Sequence, residues 1–300
     1  MKAIKPPSPL LWIVLGFAIV VISCAAIWIR WAQAEAPALS IAAYRLGIAT
    51  LILTPIALTR RQQELRALSQ TDLRYALVGG VCLALHFVFW ISSLEFTSVA
   101  SSVVLVTTNP IFVALGSRFL LHEPMPRALV LGILISVGGG VLVGYGDLLA
   151  GPNVLLGDGL ALLGAMMASA YFLIGRRLRA HTDLLTYIFL VYGAAAIVLV
   201  TIALLGRQPL LGFSPPTYLW LLLLALGPQL IGHTSLNWAL RFLPAGSVAV
   251  VVLGEPIGSA LLAFFLLQEP LTPLKLFGGA LILTGIYLAL RAPGSAKTSG

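Results

Sequence analysis

Residues 94–142 read LEFTSVASSVVLVTTNPIFVALGSRFLLHEPMPRALVLGILISVGGGVL, and residues 240–288 read LRFLPAGSVAVVVLGEPIGSALLAFFLLQEPLTPLKLFGGALILTGIYL. Laid over one another at an offset of 146 residues they align without a gap, and 17 of the 49 pairs are identical. A leucine-rich chain inflates such a count, so the weight falls on the rarer matches. These are Ser101 with Ser247, Pro110 with Pro256, Glu123-Pro124 with Glu269-Pro270, Gly132 with Gly278, and Gly139 with Gly285. The chain is an internal duplication. Upstream the match weakens and slips by three residues, pairing Gly16 with Gly159, Trp28 with Tyr171 and Tyr44 with Tyr187.

The composition says what is duplicated. Of 300 residues, 59% are apolar and 9% charged, against about 45–50% and about 25% in an ordinary soluble domain. A mean hydropathy of +1.02 excludes a disordered chain, a nucleic-acid-binding domain and a secreted disulfide scaffold, and Cys24 and Cys82 both lie in apolar runs. What is left is an all-α polytopic membrane protein. A spanning helix needs about 20 apolar residues, and ten such runs occur, at 10–30, 38–59, 75–95, 99–121, 128–147, 156–175, 184–205, 217–240, 245–267 and 273–291. The period-2 alternation of a membrane β-barrel is not seen. Only Phe96, Thr97 and Ser98 separate runs 3 and 4, and little more than Arg241 to Pro244 separates runs 8 and 9, so both pairs are tight antiparallel hairpins.

Charge orients the spans. With the N-terminus inside, the cytoplasmic segments hold Lys2, Lys5, Arg60, Arg61, Arg66, Arg74, Arg118, Arg127, Arg176, Arg177, Arg179, Arg241, Arg291 and Lys297. Arg30, Arg207 and Lys275 fall outside and Arg45 within a helix, so fourteen of eighteen basic residues lie on one side. Both termini are predicted to be cytoplasmic. Lys2 and Lys5 before an apolar run, with Val21-Ile22-Ser23-Cys24 as a lipoprotein-like box, also suggest a cleaved leader. The run continues through Ile29 and leads to another span, so it is read as the first helix. Five spans per copy is an odd number, and the second copy therefore enters the membrane from the opposite side. The prediction is ten transmembrane helices as two inverted five-helix repeats, residues 1–150 and 151–300, sharing one membrane domain around a central site.

Polar residues inside the spans are the candidates for that site. Pro110 and Pro256 sit mid-span at matching places, each freeing a carbonyl four residues earlier, and are candidate hinges. Thr107-Thr108-Asn109 precede the first and Gly254-Glu255 the second. Glu255 is the one acid at mid-depth, where an unpaired carboxylate costs at least ~2.5 kcal/mol. Three roles are open to it: proton carrier, ligand for a substrate ammonium, or acceptor of helix-end N–H groups. Gln229, His233 and Asn237 fall at i, i+4 and i+8 of run 8, and His86, Trp90 and Ser93 form a similar stripe on run 3. Each stripe either lines an aqueous cavity or forms an interhelical hydrogen-bonding seam. Tyr171 and Trp28 are aromatic walls or interfacial anchors. Arg45, about seven residues below the outer end of run 2, is expected to snorkel or to pair with Glu35, with a substrate carboxylate as the other partner weighed. Gly132, Gly138 to Gly140, Gly144, Gly278, Gly279 and Gly285 make runs 5 and 10 small-residue helices, suited to packing on each other or on a second protomer.

Enzyme motifs are scarce. Gly144-Tyr145-Gly146-Asp147 matches the GxGD of intramembrane aspartyl proteases, but Asp72, Asp158 and Asp183 all lie away from mid-span, so no second aspartate completes a dyad. No HExxH, P-loop or GxSxG occurs, and the chain is read as a non-enzyme with no cofactor and no metal site.

Ten spans, two five-helix repeats and the paired segments from Asn109-Pro110 to Glu123-Pro124 and from Glu255-Pro256 to Glu269-Pro270 resemble the drug/metabolite transporter superfamily, EamA type. The Gly-rich runs 5 and 10 and Tyr44-Arg45 fit the same pattern. Length and layout also resemble YddG-type exporters of aromatic and other amino acids. The resemblance implies a basket of helices 1, 3, 4, 6, 8 and 9 around a central cavity, with helices 5 and 10 as outer support. It also maps a frequent Glu-Pro of the ninth helix onto Glu255-Pro256, which favours a structural role for that acid. The expected function is secondary transport, export of amino acids or related metabolites across the cytoplasmic (inner) membrane by alternating access. Expected substrate-binding residues are His86, Trp90, Asn109, Tyr171, Gln229, His233, Asn237 and Glu255, with Glu255 the coupling candidate and protons the candidate coupling ion. Efflux of organic cations is the alternative, although run 1 lacks the acid that four-helix relatives use. A sugar-phosphate or nucleotide-sugar exchanger would need a deep Lys or Arg in runs 8 or 9, and neither run has one.

Overall fold

The structure is a computed structural model that describes residues 8–122, 125–145, 153–268 and 272–290. Glu123-Pro124, Asp147 and Glu269-Pro270 lie outside the described residues. Ten helical rods follow one another: α1 (Pro9–Ala32), α2 (Ala38–Arg60), α3 (Gln70–Phe96), α4 (Ser101–Leu121), α5 (Arg127–Tyr145), α6 (Val154–Arg179), α7 (Leu184–Leu205), α8 (Pro215–Ala239), α9 (Ala245–Leu267) and α10 (Pro273–Leu290). Eight are long and apolar enough to cross a bilayer, and α5 and α10 carry the shorter apolar stretches Arg127–Leu142 and Leu276–Ala289. Large apolar side chains point outward, among them Leu155 at 87% and Leu51 at 73% exposure. Water would penalise that arrangement and lipid does not. The chain is a multi-pass membrane protein.

Packing repeats with the sequence. The α3 rod lies along α6 as α1 lies along α8, α4 packs on α6 as α9 packs on α1, and α3 on α7 as α8 on α2. Exchanging the two copies maps each contact onto another, and α5 meets its own counterpart α10. Glycine makes that last contact possible. A Cβ on Gly132 would stand 2.5 Å from the Gly285 carbonyl oxygen, and one on Gly139 would stand 2.5 Å from that of Gly278. Backbone therefore rests on backbone, with Ser136 Oγ donating to the Ile282 carbonyl at 3.1 Å. The glycine stripes of α5 and α10 pack on each other.

Hydrogen bonds fix the register of the duplication, and they correct the three-residue slip. Arg30 Nη1 donates to the Leu94 carbonyl, and Arg176 Nη1 donates to that of Leu240 at 2.7 Å. Gln33 Nε2 donates to the Ile91 carbonyl at 2.8 Å, and Arg179 Nε to that of Asn237 at 3.2 Å. Ser23 Oγ lies 3.5 Å from the Glu255 carbonyl, and Ser169 Oγ lies 3.1 Å from that of Asn109. All six residue pairs stand 146 apart, so the offset holds upstream too. Trp28 and Tyr171 are not equivalents; an aromatic- and alanine-rich helix offers chance matches at neighbouring offsets.

One insertion breaks the regularity. From the cap at Ser69 to Thr97 at the end of α3 is one residue less than from Ser214 to Leu243, the equivalent ends of α8. The extra residue is absorbed where α8 widens to π-helical geometry over Ala225–His233, a segment that includes Pro228. A π turn is how a helix takes in one residue without losing its ends.

Candidate functional site

The prolines do more than kink. In α4 the helix stops at Val106, turns through Thr107 and Thr108, and restarts as Asn109–Gly116. In α9 it stops at Val252, turns through Leu253 and Gly254, and restarts as Glu255–Leu267. Each span with a mid-span proline is thus two half-helices. Pro110 and Pro256 each sit second in the new half-helix, where the N–H that proline lacks has no intrahelical acceptor anyway. Asn109 and Glu255 are the first residues of the half-helices, at the positive end of each backbone dipole. Ser169 and Ser23, on α6 and α1, reach the carbonyls of those same residues.

Between the two breaks lies a cavity of about 40 Å³. Its wall is Ile22 from α1, His86 and Trp90 from α3, Val106, Thr107 and Asn109 from α4, Ala168, Tyr171 and Phe172 from α6, His233 and Leu236 from α8, and Val252 and Glu255 from α9. These are the six helices of the expected basket; α2, α5, α7 and α10 add no wall residue. The polar wall groups are sparsely partnered. His86 Nδ1 lies 3.0 Å from the Gly164 carbonyl, and its ring stacks at 5.9 Å on Trp90. Trp90 Nε1, Asn109 Oδ1 and His233 Nδ1 are buried without a hydrogen-bond partner. The Glu255 carboxylate makes no hydrogen bond with a described residue. A lipid-filled or packed space would leave these atoms at full desolvation cost, so the cavity is one that water or a polar ligand satisfies.

Six of the eight expected binding residues line this cavity: His86, Trp90, Asn109, Tyr171, His233 and Glu255. Gln229 and Asn237 are not part of the wall. Both turn to side-chain partners instead. Gln229 Oε1 turns to Arg45, accepting from its Nε at 2.9 Å. Asn237 Nδ2 donates to the Tyr171 hydroxyl and, at 3.2 Å, to that of Tyr192, a seam between α6, α7 and α8. Ser93 also leaves its stripe, bonding Ser102 Oγ at 2.6 Å between α3 and α4. Trp28 stays outside the wall.

Arg45 departs furthest from expectation. It neither snorkels nor meets Glu35: it is fully buried, its guanidinium carbon 4.1 Å above the Phe87 ring. Glu35 instead accepts from the Ser214 N–H at 2.8 Å and Thr217 Oγ1 at 3.0 Å, and these donors, the backbone one first, hold its carboxyl below the usual range. Sequence reasoning overlooked the apolar wall, Phe172 above all, because an apolar residue in an apolar helix carries no mark of which way it faces.

Comparison with known proteins agrees with this architecture. A family model described as the EamA-like transporter family matches residues 9–145 and again 155–291. The pseudopaline exporter CntI of Pseudomonas aeruginosa is 31% identical over 258 residues, 85% of this chain and 87% of that protein. An uncharacterized transporter of Archaeoglobus fulgidus is 28% identical over 70% of this chain and 73% of its own length. A crystal structure superimposes with a TM-score of 0.76, over 93% of this chain and 96% of that one, at 21% identity, a likeness of fold alone.

Proposed function

The chain belongs to the EamA-like transporter family and is a transporter, not an enzyme; on that premise we propose that it exports amino acids or related small metabolites across the cytoplasmic membrane by alternating access. The observation that carries this reading is the pair of half-helix starts, Asn109 and Glu255, meeting at one cavity on a two-fold relation between the copies. Broken helices at corresponding places in inverted repeats supply dipole ends and unpaired backbone to a polar solute at mid-membrane. His86, Trp90, Asn109, Tyr171, His233 and Glu255 contact the solute; Gln229 and Asn237 act behind the wall, orienting Arg45 and Tyr171. Pro110 and Pro256 let the half-helices swing, and residues 1–150 and 151–300 are the two interlocked repeats. Both termini lie in the cytoplasm, following the basic side of the chain. The name of the pseudopaline exporter supports export of a metabolite as the direction and class of transport.

The test is flux from proteoliposomes loaded with labelled amino acids. Counterflow of at least one amino acid, absent from empty liposomes, is expected. Flux of an organic cation such as tetraphenylphosphonium with none of any amino acid would overturn the reading in favour of cation efflux, for which Glu255 would be the counter-charge.

A further inference from the structure

Arg45 has five N–H donors and uses one. Nε is held by Gln229 Oε1, whereas Nη1 and Nη2 are buried with no hydrogen-bond partner. Among the described residues no carboxylate stands within ion-pairing distance of it. The guanidinium lies on the Phe87 ring at 4.1 Å and 6.0 Å from that of Trp90, and Phe87 in turn meets the edge of His233 at 5.4 Å. Trp90 and His233 are cavity wall. Arg45 is therefore one side chain behind the wall, and the two residues in front of it carry unpartnered nitrogens of their own, Trp90 Nε1 and His233 Nδ1.

A guanidinium buried without an anion is among the most costly groups a protein can hold, and it keeps its charge at any ordinary pH. Cation–π contact with Phe87 offsets part of that cost and leaves the outer fork free. The two Nη groups form a planar pair spaced for a carboxylate. Glu255, also in the cavity wall on α9, makes no ion pair with the fork in this arrangement.

We propose that Arg45 is the carboxylate-reading residue of this transporter: a solute carboxylate enters between Trp90 and His233 and takes the free Nη1 and Nη2 fork, leaving the solute's ammonium toward Glu255. Arg45 and Glu255 together then select zwitterions, which deepens the amino-acid reading and rests on it for the ammonium half. A fixed Nε–Gln229 contact presents the fork in one orientation and makes Gln229 the positioning residue for Arg45.

The experiment compares L-phenylalanine, L-phenylalaninamide and 3-phenylpropionate, which differ only in the carboxylate and the ammonium, and repeats the comparison with L-leucine and leucinamide. Counterflow is measured in proteoliposomes and ligand-induced thermal shift in detergent, for the wild type, Arg45→Gln and Arg45→Lys. Expected is a preference of the wild type for the amino acid over its amide of about tenfold or more, the size of a lost charged hydrogen bond. In Arg45→Gln amino-acid flux falls by a similar factor further than amide flux does, so the preference is lost; Arg45→Lys keeps part of the preference. Equal loss of acid and amide flux in Arg45→Gln, or a wild type indifferent between them, overturns the proposal. The wild-type comparison stands even where Arg45→Gln fails to fold. If no amino acid moves but 3-phenylpropionate stabilises the wild type and not Arg45→Gln, the amino-acid reading fails and the carboxylate site holds; if 3-phenylpropionate is also without effect, both fail.

Discussion

Glu255 concentrates the chemistry of the cavity, because it pairs an intramembrane carboxylate with the start of a half-helix and no described hydrogen-bond donor. Neutralising it removes a charge–dipole term of about 0.3–1 kcal/mol, too little to unfold the protein. Glu255→Gln is expected to keep its melting temperature within a few degrees and to exchange amino acids more slowly, since the ammonium partner is gone, while acceleration by an imposed pH gradient disappears; a pH-driven flux that survives would exclude the acid as the proton carrier. Glu35 offers a second test, outside the membrane spans. Its lowered pKa means the Ser214 and Thr217 contacts contribute fully above the usual carboxylate range and are lost as pH falls through the lowered value. Hydrogen exchange at the Ser214 amide, corrected for intrinsic rates, should speed up at pH 3 relative to pH 6, and Glu35→Gln should show the fast rate already at pH 6. Both acids were conspicuous in the sequence because so few charges occur, and Asn109 because it is a polar residue beside the mid-span Pro110. Arg45 was equally visible and its surroundings were not: depth along a helix is readable from position, but the face it turns to depends on packing of α2 against α3 and α8.

The ends of the elements carry a matched pair of latches. Arg30 and Gln33 tie the end of α1 to carbonyls of α3, and Arg176 and Arg179 tie the end of α6 to the equivalent carbonyls of α8. From the end of α1 to the end of α6 the chain crosses five spans, so the latches lie on opposite membrane faces. Each joins the α1–α8 pair to the α3–α6 pair, the two packed units that flank the cavity. A charged hydrogen bond of about 1.5–3 kcal/mol released on one face should raise the open population there roughly tenfold or more. With Thr107→Cys as a reporter in a background of Cys24→Ala and Cys82→Ala, Arg30→Ala is expected to speed labelling by an impermeant maleimide from the α1-end face. Arg176→Ala should speed it from the other face, and labelling that rises equally from both would show the latches to be structural only. The span positions that set these ends were legible from hydropathy, since twenty apolar residues leave little choice. The one-residue insertion in α8 was not, because a π turn has no composition of its own.

At the scale of the whole molecule, an odd number of spans per copy and a side-biased set of arginines imply inversion, and the packing of α3 on α6 against α1 on α8 is what inversion produces. The upstream register was beyond the sequence because few polar residues mark it, Ser23, Arg30 and Gln33 among them, scattered through interchangeable apolar residues. The two copies meet directly where α5 crosses α10, and there the tolerance for a side chain is nil. A Cβ on Gly285 would stand 2.1 Å from Ser136 Oγ and 2.4 Å from the Gly132 carbonyl oxygen, whereas one on Gly138, also in α5, meets nothing within 4 Å. Overpacking of a rigid backbone contact costs about 1–3 kcal/mol or more, and a glycine replaced on an open helix face gains up to about 1 kcal/mol in helix propensity. Gly285→Leu should therefore lower the melting temperature in detergent sharply and Gly138→Leu should leave it unchanged or raise it. Because neither residue touches the cavity, whatever Gly285→Leu protein remains folded is expected to keep the wild-type ratio of acid to amide flux; a changed ratio would mean that the α5–α10 contact reaches into the site instead of only holding the halves together.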